Sequence, residues 1–234
     1  MDLRVPRTAL DRLADLVLPP RCLACGAAGQ ALCEACFDGL VVLDRRLCPR
    51  CGAPRQREGE EHCRECRARP LAFASARAAV GYTDGIKALM GQWKERGVRS
   101  AGPMAAALVL TVVPKPQVEA VTWVPPDRDR TLRRGGHPAE WLARTVAGAW
   151  GLPAEPWLAR RAGSRRQRTL ARSARQANVQ GAFRAVRGSG SPPRTLALVD
   201  DVYTTGATVS AAAAALLAAG TEHVEVVTLA RAIR

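Results

Sequence analysis

No apolar run in this chain approaches the roughly 20 residues that a membrane-spanning helix needs, so no membrane span is expected. The first twenty residues contain acids, end in Pro19-Pro20 and lack a small-residue cleavage site after an apolar core. They do not read as a signal peptide. A short amphipathic helix over Ala9–Leu18 and a cytoplasmic location are expected instead. Acidic residues are few: 21 Asp and Glu face 35 Lys and Arg, giving a net charge of +14. That imbalance suits polyanionic partners such as nucleic acid, nucleotides or pyrophosphate; an arginine-rich solvated surface is the plainer reading of the same charge. After Cys66 there is no cysteine at all.

What is present is unevenly distributed. All eight cysteines lie between Cys22 and Cys66 in a stretch short of regular apolar periods. From residue 71 onward, apolar strand-like runs alternate with helical ones. The expected organisation is a small cysteine-rich module over residues 1–70 followed by an α/β domain over residues 71–234. In that second part strands are expected at Ala76–Tyr82, Val121–Val124, Leu196–Val199 and Val224–Leu229. Helices are expected at Gly85–Trp93, Pro103–Val112, Ala139–Trp150 and Val209–Ala219. The unbroken apolar run Leu196–Val199 is typical of a central parallel strand, and Gly220 stops the helix after it.

The cysteines form four CxxC pairs: Cys22/Cys25, Cys33/Cys36, Cys48/Cys51 and Cys63/Cys66. Two intervening residues let one backbone turn present both sulfurs to one ion, and zinc prefers four thiolates in a tetrahedron. Two pairs complete one site, so four pairs predict two zinc ions. Gly26 and Gly52 follow the second cysteine of their pairs, where φ > 0 frees backbone N–H groups to face the thiolates. Disulfides would want a secretory signal, and a redox CxxC would stand alone beside a βαβ unit. Sequential pairing is the simplest arrangement; the spacing is compatible with a crossed one as well. Four thiolates leave no open position, so the zinc is expected to be structural.

A second motif follows the run Leu196–Val199. Two carboxylates, Asp200 and Asp201, precede a Thr/Gly-rich turn and then a helix. A helix start after a tight turn is an anion cradle. Gly206 permits the turn, and Thr204, Thr205 and Thr208 add hydroxyl donors. The acids suit a ligand that also carries a ribose diol, bound directly or through Mg²⁺. Strand-end acids with Thr as a helix cap would be the structural alternative.

The run Val199–Thr208 resembles the phosphoribosyl-pyrophosphate (PRPP) binding signature of type I phosphoribosyltransferases. Preceded by four CxxC pairs, it resembles the ComF family, whose bacterial members join a zinc module to such a domain, and the likeness extends over nearly the whole chain. Val124-Pro125-Pro126 followed by Arg133-Arg134-Gly135 resembles a family stretch, although Gly136-His137-Pro138 departs from its Phe-Asn-Gln. Gln167, Leu170, Arg175, Asn178, Ala182 and Phe183 fit a further family pattern.

The resemblance implies a type I phosphoribosyltransferase-like parallel sheet flanked by helices. It also implies Mg²⁺-dependent transfer of phosphoribose from PRPP, with loss of pyrophosphate, to an acceptor the sequence does not name. On that reading Asp200 and Asp201 serve the ribose hydroxyls, and Thr204, Thr205, Gly206, Ala207 and Thr208 hold the 5′-phosphate. Lys94, expected in the turn after the Gly85–Trp93 helix, and Arg133 or Arg134 are candidates for pyrophosphate; a solvated helix-end lysine is the competing reading of Lys94. His137 could serve as a general acid for the leaving base, but a lone His in a Gly/Pro loop reads as a turn residue and stays outside the catalytic set.

Arg160, Arg161, Arg165, Arg166, Arg168, Arg172 and Arg175 form a basic stretch with no acid. It can neutralise phosphates of single-stranded nucleic acid, close over pyrophosphate, or remain a solvated arm. Without an interleaved aromatic, base stacking is not indicated. The ComF resemblance adds single-stranded DNA and other competence proteins as partners, and leaves a second reading in which the protein binds PRPP or nucleotide and DNA without turnover.

Overall fold

The computed structural model describes residues 20–55, 63–67, 69–96, 100–126, 137–161, 181–186 and 190–233. Two short helices, α1 (Glu34–Asp38) and α2 (Arg64–Arg67), lie in the cysteine-rich part. The α/β part runs β1 (Ser75–Gly81), α3 (Asp84–Arg96), α4 (Ala101–Val112), β2 (Ala120–Trp123), α5 (Pro138–Trp150), β3 (Leu158–Arg160), β4 (Phe183–Ala185), β5 (Thr195–Tyr203), α6 (Ala207–Leu217) and β6 (His223–Arg231).

Strands β1, β6, β5 and β2 form a parallel sheet in that order. The α/β architecture with an N-terminal cysteine module is therefore as expected. Alternation along the strands sorts side chains into two layers. Ala197, Val199, Val227 and Leu229 pack with Leu89, Leu108, Leu142 and Val146 of the helices α3, α4 and α5. Leu196, Leu198, Val224 and Val226 pack with Ala212 and Leu216 of α6 and with Phe183. The small side chains of α6 allow it to lie close to the sheet, which is what its alanine-rich sequence provides.

Two differences from the sequence expectations bear on function. Helix α3 extends to Arg96, so Lys94 stands in its last turn rather than in a loop beyond it. Strand β5 extends to Tyr203, so Asp200 and Asp201 are strand residues. Pairing with β6 carries the ladder this far, with Asp200 opposite Thr228 and Tyr203 opposite Arg231. The side-chain alternation slips by one residue at this point: Val199 and Val202 both pack with the first layer, and Tyr203 with the second. The antiparallel ribbon β3–β4 had no distinct sequence signal, because each strand has only 3 residues.

The cysteine-rich part is built onto the sheet edge. Val42 bridges Val80 antiparallel, Leu43 N–H donates to the Ala79 carbonyl at 3.0 Å, and Gly81 N–H to that of Val41 at 2.7 Å. Cys22, Leu23 and Leu32 join the core of the first layer, and Cys48 and Cys51 join that of the second. The cysteine-rich part thus straddles β1, with one cysteine cluster on each side of the sheet.

Candidate functional site

The cysteines resolve into two clusters in chain order: Cys22, Cys25, Cys33 and Cys36, then Cys48, Cys51, Cys63 and Cys66. Within each, the ligand atoms all lie within 4.8 Å of one another. None of the eight is in a disulfide. Four sulfurs about 2.3 Å from a tetrahedral zinc sit about 3.8 Å apart. The separations Cys25–Cys33 of 3.7 Å, Cys48–Cys66 of 3.8 Å and Cys51–Cys63 of 3.4 Å fit that figure. The turns are those anticipated: Gly26 and Gly52 have φ of 81° and 69°, and their N–H groups return to the carbonyls of Cys22 and Cys48. Burial alone would raise the Cys22 thiol, but backbone N–H groups of Cys25, Cys33 and Ala24 outweigh it and bring it down to about 6. Burial is likewise outweighed at Cys48 by the backbone of Cys51, Cys63 and Arg50, again to about 6. Donors that favour thiolate over thiol favour a metal ligand. Both clusters fit structural zinc, paired sequentially.

At the carboxyl end of β5 the sheet brings together residues from four elements. Asp200 Oδ1 accepts from the Asp201 N–H at 2.9 Å. The Lys94 ammonium, carried by α3, is ion-paired with Asp201. Helix α3 is held in place against α5 by an edge-to-face contact of Trp93 and Trp141, with ring centroids 6.0 Å apart. Burial, and then the neighbouring Asp201 carboxylate, pushes Asp200 up to about 8, while Lys94 and Arg160 draw it the other way. Arg160, at the end of β3, stacks on Phe183 of β4 at 4.8 Å. His137 is the N-cap of α5, its Nδ1 accepting from the Glu140 N–H at 3.3 Å. Burial lowers its pKa, against the pull of Asp201 and Glu140.

Beyond the acids the chain turns sharply. Gly206 has φ of 75°, and a Cβ there would collide with the Tyr203 hydroxyl. Glycine is therefore required both by backbone conformation and by space. Thr205 Oγ1 accepts from the Ala207 N–H at 3.3 Å. Gly206 is the N-cap of α6 and offers no side-chain oxygen to its first turn. Thr204 is exposed; Thr205, Ala207 and Thr208 are half-buried. Acids, turn and helix start are contiguous, with Lys94, His137 and Arg160 beside the acids.

Residues 13–67 match the double zinc ribbon domain family. The chain is 26% identical over 228 residues to Competence protein ComFC of Streptococcus pneumoniae, covering 90% of this chain and 100% of that protein. It is 27% identical over 236 residues to DNA utilization protein YhgH of Escherichia coli K12, covering 93% and 100%. It is also 27% identical over 225 residues to Competence protein F of Haemophilus influenzae, covering 91% and 97%. The likeness runs the length of the chain, ribbon and α/β part together.

In both parts the chain resembles the ComF family. Of the residues that carried the ComF resemblance in the sequence, Ala182 and Phe183 lie at the ribbon β3–β4, where Phe183 supports Arg160. Arg133, Arg134, Gln167, Leu170, Arg175 and Asn178 lie outside the described residues, as do Arg165, Arg166, Arg168 and Arg172 of the basic stretch. Two neighbours of the acids, Arg160 and His137, were not placed at this site by the sequence. Arg160 was submerged in the basic stretch, and the 3 residues of β3 are too few to mark it as a strand residue. His137 carried the signal of an N-cap, standing before Pro138 with Glu140 three residues on. Among the described residues, no helix is long and apolar enough to cross a membrane.

Proposed function

We propose that this ComF-like protein binds PRPP with Mg²⁺ at the carboxyl end of β5 and transfers its phosphoribosyl group to an acceptor during the handling of DNA. The observation that carries the reading is the contiguity of Asp200 and Asp201 with the Gly206 turn and the start of α6. Ligands of open α/β sheets bind beyond the carboxyl ends of strands where the connecting helices change face. Strand β5 is such a place, since α5 before it and α6 after it pack in opposite layers. The α6 start suits the 5′-phosphate, through backbone N–H groups and Thr204, Thr205 and Thr208.

Asp200 and Asp201 are hard oxygen donors that suit ribose hydroxyls and a hydrated Mg²⁺. When bound, Mg²⁺ would neutralise charge on the pyrophosphate. In the reaction the bond from C1′ to pyrophosphate breaks, pyrophosphate leaves with the electron pair, and C1′ bonds to the acceptor. No protein nucleophile is required; the protein orients the ribose and stabilises separating charge. Lys94, which pairs with Asp201, would serve the pyrophosphate, and Arg133 or Arg134 would add to it. Residues 71–234 would hold this site and residues 1–70 would serve as its scaffold, in the cytoplasm.

Calorimetry of PRPP with and without Mg²⁺ tests the reading. Mg²⁺-dependent binding to the wild type, lost in Asp200→Asn/Asp201→Asn, is the expected result. No binding to the wild type would sink it.

A second reading rests on the charge of +14 and on relatives named for competence and DNA utilization. In it the protein binds single-stranded DNA, with PRPP or a nucleotide as a signal rather than a substrate, alongside other competence proteins.

A further inference from the structure

The second cysteine cluster and the turn after β5 are joined through one buried cation. Arg231, the last residue of β6, is 2% exposed. Its Nη1 donates to the Cys51 carbonyl at 2.6 Å and its Nη2 to Glu65 Oε2 at 3.0 Å. Cys51 is a metal ligand, and Glu65 lies between the ligands Cys63 and Cys66. The Arg231 guanidinium also stacks on the Tyr203 ring at 4.4 Å, and the Tyr203 hydroxyl occupies the space that a side chain at residue 206 would need. A second link runs from the cysteine-rich part itself: Arg69 Nη1 donates to the Thr205 carbonyl at 2.9 Å. Cys51, Glu65, Cys66 and Arg69 line a single cleft with Tyr203 and Thr205.

A buried guanidinium is tolerated only where acceptors are fixed around it. Here they are fixed by the turns that the second cluster ties together. Without a metal, no disulfide holds the Cys48–Cys51 turn to the Cys63–Cys66 turn. The Cys51 carbonyl and Glu65 are then free to part, and Arg231 and Tyr203 lose their common seat. The first cluster stands elsewhere. It joins the other layer and touches the start of α3, where Ala24 lies 3.6 Å from the position of a Cβ on Gly85.

We infer that the second cluster, Cys48, Cys51, Cys63 and Cys66, positions the turn Thr204–Ala207 through Arg231, Tyr203 and Arg69, so that this turn takes its shape only when that cluster holds metal. The functional weight of the inference rests on the proposed phosphate role of the turn. Its physical content does not. Arg231 and Arg69 are positioning residues.

Hydrogen exchange of the full-length, zinc-loaded protein tests it, with zinc content measured alongside. Cys66→Ser should raise deuterium uptake across residues 203–209 about tenfold or more, while Cys25→Ser leaves it as in the wild type. Arg69→Ala should keep both zinc ions and still raise uptake in the same segment, which keeps the test decisive where Cys66→Ser does not fold. Wild-type uptake in Arg69→Ala, or an equal rise in Cys25→Ser, would overturn the inference. PRPP calorimetry on the same samples separates the two claims. A wild type that binds no PRPP, yet shows the selective loop response, removes the ligand reading and supports the coupling.

Discussion

Lys94 of α3 is ion-paired with Asp201 of β5, with side chains 30% and 19% exposed. The pair ties a helix end to the strand that carries the acids. Partial exposure screens it, so its worth lies between that of a surface pair and a buried one. Lys94→Met should cost about 1–3 kcal/mol in urea unfolding. Lys94→Met/Asp201→Asn should cost clearly less than the sum of the single changes. Additivity within about 0.5 kcal/mol would show that the pair carries no coupling.

Asp200 gives the ligand-free protein a pH dependence of definite sign. An exposed carboxyl loses its proton near the ordinary value of 3.8, whereas burial and Asp201 hold Asp200 up to about 8. Between those values the folded state keeps a proton that the unfolded state has lost, so Asp200 makes stability fall as pH rises. Asp200→Asn should flatten that slope, matching the wild type near about pH 3 and exceeding it near about pH 9. Thermal unfolding across that range is the measurement. If Asp200 binds Mg²⁺ as proposed, the ion must displace the proton, so Mg²⁺-dependent PRPP affinity should rise with pH up to about 8.

Gly206→Ala tests the turn. A residue with a Cβ in this left-handed conformation costs about 1–2 kcal/mol, and the collision with Tyr203 adds to that. The variant should unfold earlier and bind PRPP at least tenfold more weakly. Unchanged stability and affinity would mean that the turn adopts another shape.

Removal of both zinc ions should destabilise the α/β part as well as the cysteine-rich part. Cys22, Cys48 and Cys51 are buried in the cores on both sides of the sheet, so the cysteine-rich part is not an appendage. Elemental analysis should find two zinc ions per chain, one for each of the two four-cysteine clusters. Chelation should lower the melting temperature of the α/β part, by roughly 2–4 °C for each kcal/mol lost. An unaltered near-ultraviolet transition of its tryptophans after chelation would show the parts to be independent.

Charge on the basic stretch predicts salt-sensitive binding of single-stranded DNA. Replacing Arg165, Arg166 and Arg168 with Ala removes three charges, which should reduce the slope of log K against log salt by about 2. A slope that does not change would place the DNA elsewhere on the molecule.

Much of this protein was legible in its sequence because the informative patterns are local. A CxxC pair followed by glycine specifies its own turn, and Gly26 and Gly52 adopt the positive φ their positions implied. The apolar runs marked the four sheet strands, since a strand buried on both faces needs nothing else. Residues Asp200 to Thr208 announced an acid pair, a turn and a helix start in one reading.

What only the tertiary structure decided are relations between distant segments. The pairing of the cysteines depended on which turns the sheet edge brings together. The length of β5 depended on β6, whose hydrogen bonds carry the strand through the two acids. Lys94 met Asp201, and Arg231 met Cys51, Glu65 and Tyr203, because the parallel sheet places those ends side by side. A local sequence pattern encodes a turn or a period; a buried charge finds its partner only after the layers have packed, so the sequence carries no signal of it at either residue alone.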